Sequence, residues 1–203
     1  MSDIKIIEAL NQHLIYPVKQ VKKISWICNG YVLNDKQELT HLSIFKCQLQ
    51  GHIPVELFQL KHLEYLDIRE NEIAALPDDI SLLQQLNYLD IRNNQLQNLP
   101  ETFAQLQKLE KLYLAQNAFS AIPIQISALA KLDLIDLSNN QITHGCDELL
   151  QTSQLRNIYL NNNQLGHFPF DQIINQINEL VLIDNPIKEK PDTTKGLISR
   201  LIM

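Results

Sequence analysis

Apolar and polar positions recur along this chain in a fixed pattern from Leu63 to Leu165. Leu63, Leu66, Ile68, Asn71 and Ile73 place apolar residues at positions 1, 4, 6 and 11 of a unit, with an asparagine at 9. The spacing returns from Leu86 (Leu89, Ile91, Asn94, Leu96), Leu109 (Leu112, Leu114, Asn117, Phe119), Leu132 (Ile135, Leu137, Asn140, Ile142) and Leu155 (Ile158, Leu160, Asn163, Leu165), always 23 residues on. Apolar positions 4 and 6 alternate with polar ones at 3, 5 and 7, which predicts one short strand per unit with one face buried. Such a strand cannot bury its apolar face alone. Units must therefore stack, with their strands in a parallel sheet on the inner face of a curved coil. The asparagine falls where the chain turns from the strand into the core and leaves backbone N–H and C=O groups without a ladder partner. Its amide both donates and accepts, so a stack of asparagines can satisfy those groups from turn to turn.

The return limbs carry their own signature. Ile53-Pro54, Leu76-Pro77, Leu99-Pro100, Ile122-Pro123 and Phe168-Pro169 put an apolar residue and a proline at positions 14 and 15, with apolar residues again at 18 and 21, as in Ile80 and Leu83. Proline fixes φ and lacks a donor, which predicts extended chain and short 3₁₀ turns rather than long helices on the convex side. Residues 142–154 lack the Leu-Pro pair and carry Thr152 at position 21, so the wall there should bulge or turn helical from Asp147. Residues 2–14 predict an amphipathic helix, capped by Ser2 or Asp3, with Ile4, Ile7, Leu10 and Leu14 on one face. It reads as a lid on the first coil; a membrane anchor would need a basic polar face, which Glu8 and the neighbouring amides do not supply. Val21, Ile24, Trp26 and Asn29 fit a degenerate first repeat with Trp26 filling the core, and Leu39, Leu42, Ile44, Cys47 and Leu49 a full one with a thiol at the asparagine position. The closing half-unit is Ile177, Leu180, Leu182, Asn185 and Ile187. Pro186 and Pro191 end the pattern, and Leu197, Ile198, Leu201 and Ile202 on Gly196 read as a C-terminal lid, with a partner-binding element as the alternative.

These units resemble the leucine-rich repeat family, in its 23-residue class with Leu-Pro on the return limb, over roughly residues 21–187. The resemblance implies an α/β solenoid: a right-handed horseshoe arc with a parallel concave sheet, a convex side of turns and short 3₁₀ or helical segments, and an N-terminal capping helix. Residues 1–203 are then one domain, with caps at 1–20 and 188–203 around the repeats at 21–187. It also implies protein recognition, as in small-GTPase scaffolds, receptor ectodomains and bacterial proteins aimed at host targets. The repeat fixes the fold and not the partner.

Composition narrows the reading. With a net charge of −6 and a pI near 5.5 over 203 residues, no basic face offers itself to nucleic acid or to an anionic membrane. No apolar run approaches a spanning helix, and the MSDIK opening has no secretory core. Cys28, Cys47 and Cys146 show no disulfide or metal spacing, and no Asn-x-Ser/Thr acceptor occurs, so a cytoplasmic location is expected. There is no Gly-rich phosphate loop, His-Glu-x-x-His or Cys-x-x-Cys, and the six histidines have no nucleophile in register. A non-enzyme without cofactor or metal, and a monomer, is the expectation.

Adjacent parallel strands lie about 4.8 Å apart, so residues one period apart become neighbours in a column. Position 3 reads Lys23, His41, Tyr65, Tyr88, Lys111, Leu134, Asn157, Glu179; position 5 reads Ser25, Ser43, Asp67, Asp90, Tyr113, Asp136, Tyr159, Val181. Position 7 reads Ile27, Phe45, Arg69, Arg92, Ala115, Ser138, Asn161, Ile183. Four of the six tyrosines thus fall on one face. Stacked Asp67, Asp90 and Asp136 could hold a cation, but Tyr113 interrupts them and Arg69 and Arg92 lie alongside, which favours an ion-paired surface. Tyrosine with arginine is the composition of interface hot spots. Phe45, Tyr65, Asp67, Arg69, Tyr88, Asp90, Arg92 and Tyr113 form the candidate site for a protein or peptide of mixed charge, with Asp136 and Tyr159 at its far edge. The competing reading is a plain strand surface whose Asp and Arg pair with each other. Two functions follow: an interaction module acting as cytosolic adaptor or as bacterial effector delivered to a host cell, or the substrate-recognition arm of a larger ligase or kinase.

Overall fold

The computed structural model describes residues 2–25, 27–49, 51–173, 176–189 and 198–203. These form one open sheet of nine strands in sequence order: β1 Gly30–Leu33, β2 Leu39–Ser43, β3 Tyr65–Asp67, β4 Tyr88–Asp90, β5 Lys111–Tyr113, β6 Leu134–Asp136, β7 Asn157–Tyr159, β8 Ile177–Val181 and β9 Ile198–Ile202. From β2 to β9 every pairing is parallel, and the register joins equal positions of successive units, as in Leu66↔Leu89 and Leu89↔Leu112. Position 4 is sealed throughout: Leu66, Leu89, Leu112, Ile135, Ile158 and Leu180 are at most 1% exposed. The convex limbs hold 3₁₀ turns at Val55–Gln59, Asp78–Leu82, Glu101–Gln105, Ile124–Ala128 and Phe170–Gln172. Each follows the proline of its limb, and the first four present Leu57, Ile80, Phe103 and Ile126 to the core.

The asparagines behave as their position requires. Asn94 accepts at Oδ1 from the backbone N–H groups of Asn71 (3.1 Å) and Ile73 (2.9 Å). Its Nδ2 donates to Ile68 O in the preceding coil (3.2 Å) and to Ile91 O in its own (2.9 Å). Asn71, Asn117, Asn140, Asn163 and Asn185 repeat this bridge. Cys47 cannot. Asn71 therefore accepts the Cys47 N–H (2.9 Å), and Asn29 donates to Phe45 O (2.8 Å) and to the Cys47 sulfur (3.3 Å). Burial pushes the Cys47 thiol up to about 11. The residue just before each asparagine position is left-handed: Lys46, Glu70, Asn93, Gln116, Asn139, Asn162 and Asp184 have φ of 53–58°. That conformation lets the turn aim its N–H groups at the next amide.

Both ends depart from the repeat pattern. The segment from Val21 does not form a first parallel strand; instead β1 pairs antiparallel with β2. A turn at residues 34–38 makes this hairpin, with Asn34 Oδ1 accepting from the N–H groups of Lys36 (2.9 Å) and Glu38 (3.0 Å) and Gln37 left-handed at φ 63°. The 21/24/26 spacing imitated a repeat, but the turn residues decide the topology. Lys23, Ser25 and Ile27 hence belong to no parallel column, and Ile27 is 65% exposed. Helix α1 spans Asp3–Leu10 rather than 2–14 and buries Ile6, Ile7 and Leu10. Ser2 caps it without a side-chain bond, while Asp3 accepts from Leu39 N (2.7 Å) and ties the lid to β2. Asn11 ends the helix by exchanging two hydrogen bonds with Val18, and Leu14 is buried beyond it.

At the other end the apolar tail is a strand. β9 places Ile198 and Leu201 opposite Ile177 and Leu180, at positions 1 and 4 of another unit. Pro191, Gly196, Leu197 and Trp26, which the sequence reading used, lie outside the described residues. The irregular limb forms helix α2, Cys146–Leu150, entered through Gly145 at φ 96°. A Cβ there would sit 3.1 Å from Ile122 N, so the site demands glycine. Thr152 is buried, with its hydroxyl donating to Ile126 O (3.3 Å), so a polar residue fills an apolar position at no loss. Leu112→Ala is expected to destabilise the chain by about 2–5 kcal/mol through lost burial and a cavity. Asn161→Ala, on the open face, should leave the urea midpoint nearly unchanged, and the two midpoints measured together check the inward assignment of position 4.

Candidate functional site

Register brings the predicted columns together from β2 to β7. His41, Tyr65, Tyr88 and Lys111 are successive Cα partners at position 3, and Ser43, Asp67, Asp90, Tyr113, Asp136 and Tyr159 at position 5. The rings stack along the solenoid. His41 and Tyr65 centroids are 5.7 Å apart, Tyr65 and Tyr88 4.2 Å with planes 15° apart, and Tyr88 and Tyr113 5.2 Å in a tilted pair. His41 was not among the candidate residues, although its position-3 placement is the signal that finds it. Burial holds its imidazole below the usual value, so it joins the stack uncharged at neutral pH.

Beneath and beside the rings run two Asp–Arg pairs. Asp67 and Asp90 side chains are 1% and 2% exposed. Arg69 donates to Asp67 through Nε (2.8 Å) and Nη2 (2.9 Å), and Arg92 to Asp90 through Nε (2.9 Å) and Nη2 (2.6 Å). Arg69 Nε also lies 3.5 Å from Asp90, linking the pairs across strands. The guanidiniums lie over rings as well: Arg69 4.9 Å from the Phe45 centroid and Arg92 5.1 Å from that of Tyr113. Ser43 donates to Asp67 Oδ2 (3.2 Å). The structure thus gathers all eight central candidates into one connected surface, but it engages both arginines with the protein's own carboxylates. The paired side chains at positions 5 and 7 are a stiff platform carrying half-buried aromatic edges. Toward β8, Tyr159 donates to Glu179 Oε2 (2.7 Å), and Arg200 holds the other oxygen of that carboxylate at 2.8 Å.

Burial raises the pKa of the Tyr65, Tyr88 and Tyr113 phenols, and the nearby Asp67 charge adds to this at Tyr65. The hydrogen bond to Glu179 is the first cause of the rise at Tyr159, to about 12. Burial likewise raises Asp90, opposed by its bonds from Arg92. Bonding to their aspartates raises both arginines. Among the described residues no three His, Cys, Asp or Glu side chains converge as a metal site, and no helix is long and apolar enough to cross a membrane.

Two outcomes follow. Arg69→Ala leaves the Asp67 carboxylate buried beside an empty space and should destabilise the chain by about 3–5 kcal/mol in urea unfolding at neutral pH; a merely exposed arginine would shift the midpoint little. The four tyrosines set an alkaline limit. A phenol in the unfolded chain ionises near pH 10, whereas these folded phenols keep their protons to higher pH. Below that value both states are protonated and nothing is lost. Above it the unfolded chain alone releases protons, so stability falls as pH rises, for Tyr159 between about 10 and 12. Urea midpoints at pH 9 and pH 11 should differ in that direction, with a shallower fall in Tyr88→Phe.

Comparison with known proteins gives a consistent picture. The family model described as "Leucine-rich repeat region" matches residues 28–185. No curated protein matches the chain. Among solved structures, a leucine-rich repeat protein of Leptospira interrogans is 33% identical with a TM-score of 0.63, the match covering 68% of this chain and 36% of that one. The leucine-rich repeat ectodomain of the plant membrane receptor kinase GASSHO1/SCHENGEN3 from Arabidopsis thaliana, in complex with CASPARIAN STRIP INTEGRITY FACTOR 2, is 32% identical with a TM-score of 0.60. That match covers 72% of this chain and 18% of the ectodomain chain, so this chain spans well under half the length of either neighbour.

Proposed function

The chain belongs to the leucine-rich repeat family, and from that premise we propose that it is a non-catalytic interaction module holding a protein or peptide on its concave sheet. The observation that carries this reading is the aromatic column His41–Tyr65–Tyr88–Tyr113, partly exposed along the sheet, with the Asp67–Arg69 and Asp90–Arg92 pairs beside it and Arg92 over the Tyr113 ring. Folding alone leaves part of each of these four rings in water. A partner that covers them gains their apolar area without having to order them first. The complex of the Arabidopsis ectodomain supports a recognition role for the same fold.

The internal Asp–Arg pairing changes the expected bonding. A partner meets tyrosine edges and hydroxyls at the centre of the face, while Arg69 and Arg92 stay with their aspartates and lie over Phe45 and Tyr113. The module suits a cytosolic adaptor or a bacterial effector acting in a host cell; Cys28, Cys47 and Cys146, all free thiols, agree with a reducing compartment. The alternative is the substrate-recognition arm of a larger ligase or kinase.

The test is capture from candidate cytosols with the full chain and with a Tyr65→Ala/Tyr88→Ala variant whose thermal midpoint matches the parent. Proteins retained by the parent should be lost, with affinity down at least about tenfold on the scale of hot-spot truncations. Unchanged capture would move the site to the convex face or to β9.

A further inference from the structure

The position-5 column contains a third aspartate, and it is built like the first two with one part missing. Asp67 and Asp90 each accept at Oδ1 from the backbone N–H two residues on, at 3.2 Å in both cases, and each accepts at Oδ2 from Nη2 of the arginine in that place. Asp136 keeps the same turn, with Ser138 N donating to its Oδ1 at 3.0 Å. Where the other units have arginine, this one has Ser138, whose hydroxyl also goes to Oδ1, at 2.7 Å. Among the described residues Asp136 Oδ2 receives no hydrogen bond, and no cation comes within 4.0 Å of the carboxylate. Arg92 senses its charge, but the guanidinium of Arg92 is bonded to Asp90.

The flanks of this carboxylate are aromatic. Tyr113 and Tyr159 are its Cα partners on β5 and β7, so a ring stands on each side. Both rings are fixed, Tyr113 under Arg92 and Tyr159 through Glu179 and Arg200. Asp136 and both tyrosines are only partly buried, so solvent reaches the group. The two complete pairs show what a carboxylate of this column binds when it is satisfied: a planar guanidinium taking both oxygens and lying over a ring about 5 Å away. We infer that Asp136, between Tyr113 and Tyr159, is the receptor for an arginine side chain of the partner, which completes in trans the pair that Asp67–Arg69 and Asp90–Arg92 make within the chain. This deepens the concave-face reading and rests on it. An ammonium group would share the charge but not the two-oxygen fork, so lysine should fit less well.

The probes are N-acetylarginine methylamide and N-acetyllysine methylamide, titrated at constant ionic strength into the full chain with ¹³C-labelled tyrosine rings and followed by aromatic NMR. Expected is a saturable shift of the Tyr113 and Tyr159 signals with the arginine probe, several-fold weaker with the lysine probe, while Tyr65 and Tyr88 stay still. Asp136→Asn should weaken binding by about tenfold or more, the scale of one charge-assisted bond. Ser138→Arg should supply the missing guanidinium from within, keep the thermal midpoint of the parent and abolish the shift; if that variant does not fold, Asp136→Asn alone decides. The inference falls if the arginine probe gives no saturable shift, if Asp136→Asn leaves the shift intact, or if lysine binds as well as arginine. The capture experiment with Tyr65→Ala/Tyr88→Ala reads the concave face itself. Loss of capture there, with no arginine shift here, would discard the Asp136 receptor and leave the binding face standing.

Discussion

Everything in this molecule depends on how the turn after each strand satisfies its backbone. From β3 to β7 a coil leaves its strand after three residues. Amides just beyond still reach the next coil, as Glu70 N reaches Arg92 O (3.1 Å), but the N–H at position 11 is met by a side chain, as that of Ile73 is by Asn94 (2.9 Å). One asparagine side chain per unit closes the gap. Asn94 accepts two N–H groups of the coil before it and donates to carbonyls of both coils, so each asparagine fixes its own turn and the spacing to its neighbour at once. The core residues gain their full burial only because that spacing is held. The bridge also requires the left-handed residue before it, which Asn93, Asn139, Asn162 and Asp184 adopt readily and Lys46, Glu70 and Gln116 at a cost. The ladder outweighs that local strain in every unit.

The candidate face is a by-product of the same constraint. Because the ladder holds units in strict register, a residue type at one position becomes a continuous column. Tyr65 and Tyr88, each at position 3, are forced into stacking distance, and Asp67 and Asp90 into a line that would repel without Arg69 and Arg92. Two like carboxylates on adjacent strands are tolerable when each has its own guanidinium and one guanidinium is shared.

Much of this was legible in the sequence because the period is a physical length. Strand positions from Leu39 on, the sealed position 4, the asparagine bridges and the proline-led 3₁₀ turns all follow from residue spacing, and the irregular limb, expected to bulge or turn helical from Asp147, is a helix from Cys146. The misreadings sit where spacing is a poor guide. Val21, Ile24 and Trp26 match a repeat by count, yet Asn34 and Gln37 make a hairpin turn whose local bonds reverse the chain. Ile198 and Leu201 read as a C-terminal lid, but its form could not be counted out past the prolines, and only pairing with Ile177 and Leu180 shows it to be a strand in register. The columns of the candidate site were readable, and so was the competing view that Asp and Arg pair with each other. What the pattern could not weigh was depth: side chains one and two per cent exposed are bound to the fold before any partner arrives.

That depth decides where specificity can reside. A charge already matched inside the protein contributes rigidity, and a partner that competed for it would have to leave a buried aspartate unpaired, at a cost of several kcal/mol. On the proposed reading, recognition therefore falls on groups the internal network leaves unfinished. On this face those are the ring edges of the tyrosine column, which are apolar and fixed, and the places where one unit breaks the side-chain rule of its neighbours while keeping their backbone. In a solenoid a broken rule is conspicuous, since the adjacent units show what the position holds when it is complete. The repeat makes the scaffold by sameness, and on the proposed reading the exceptions on the concave face are where the chain would tell one partner from another.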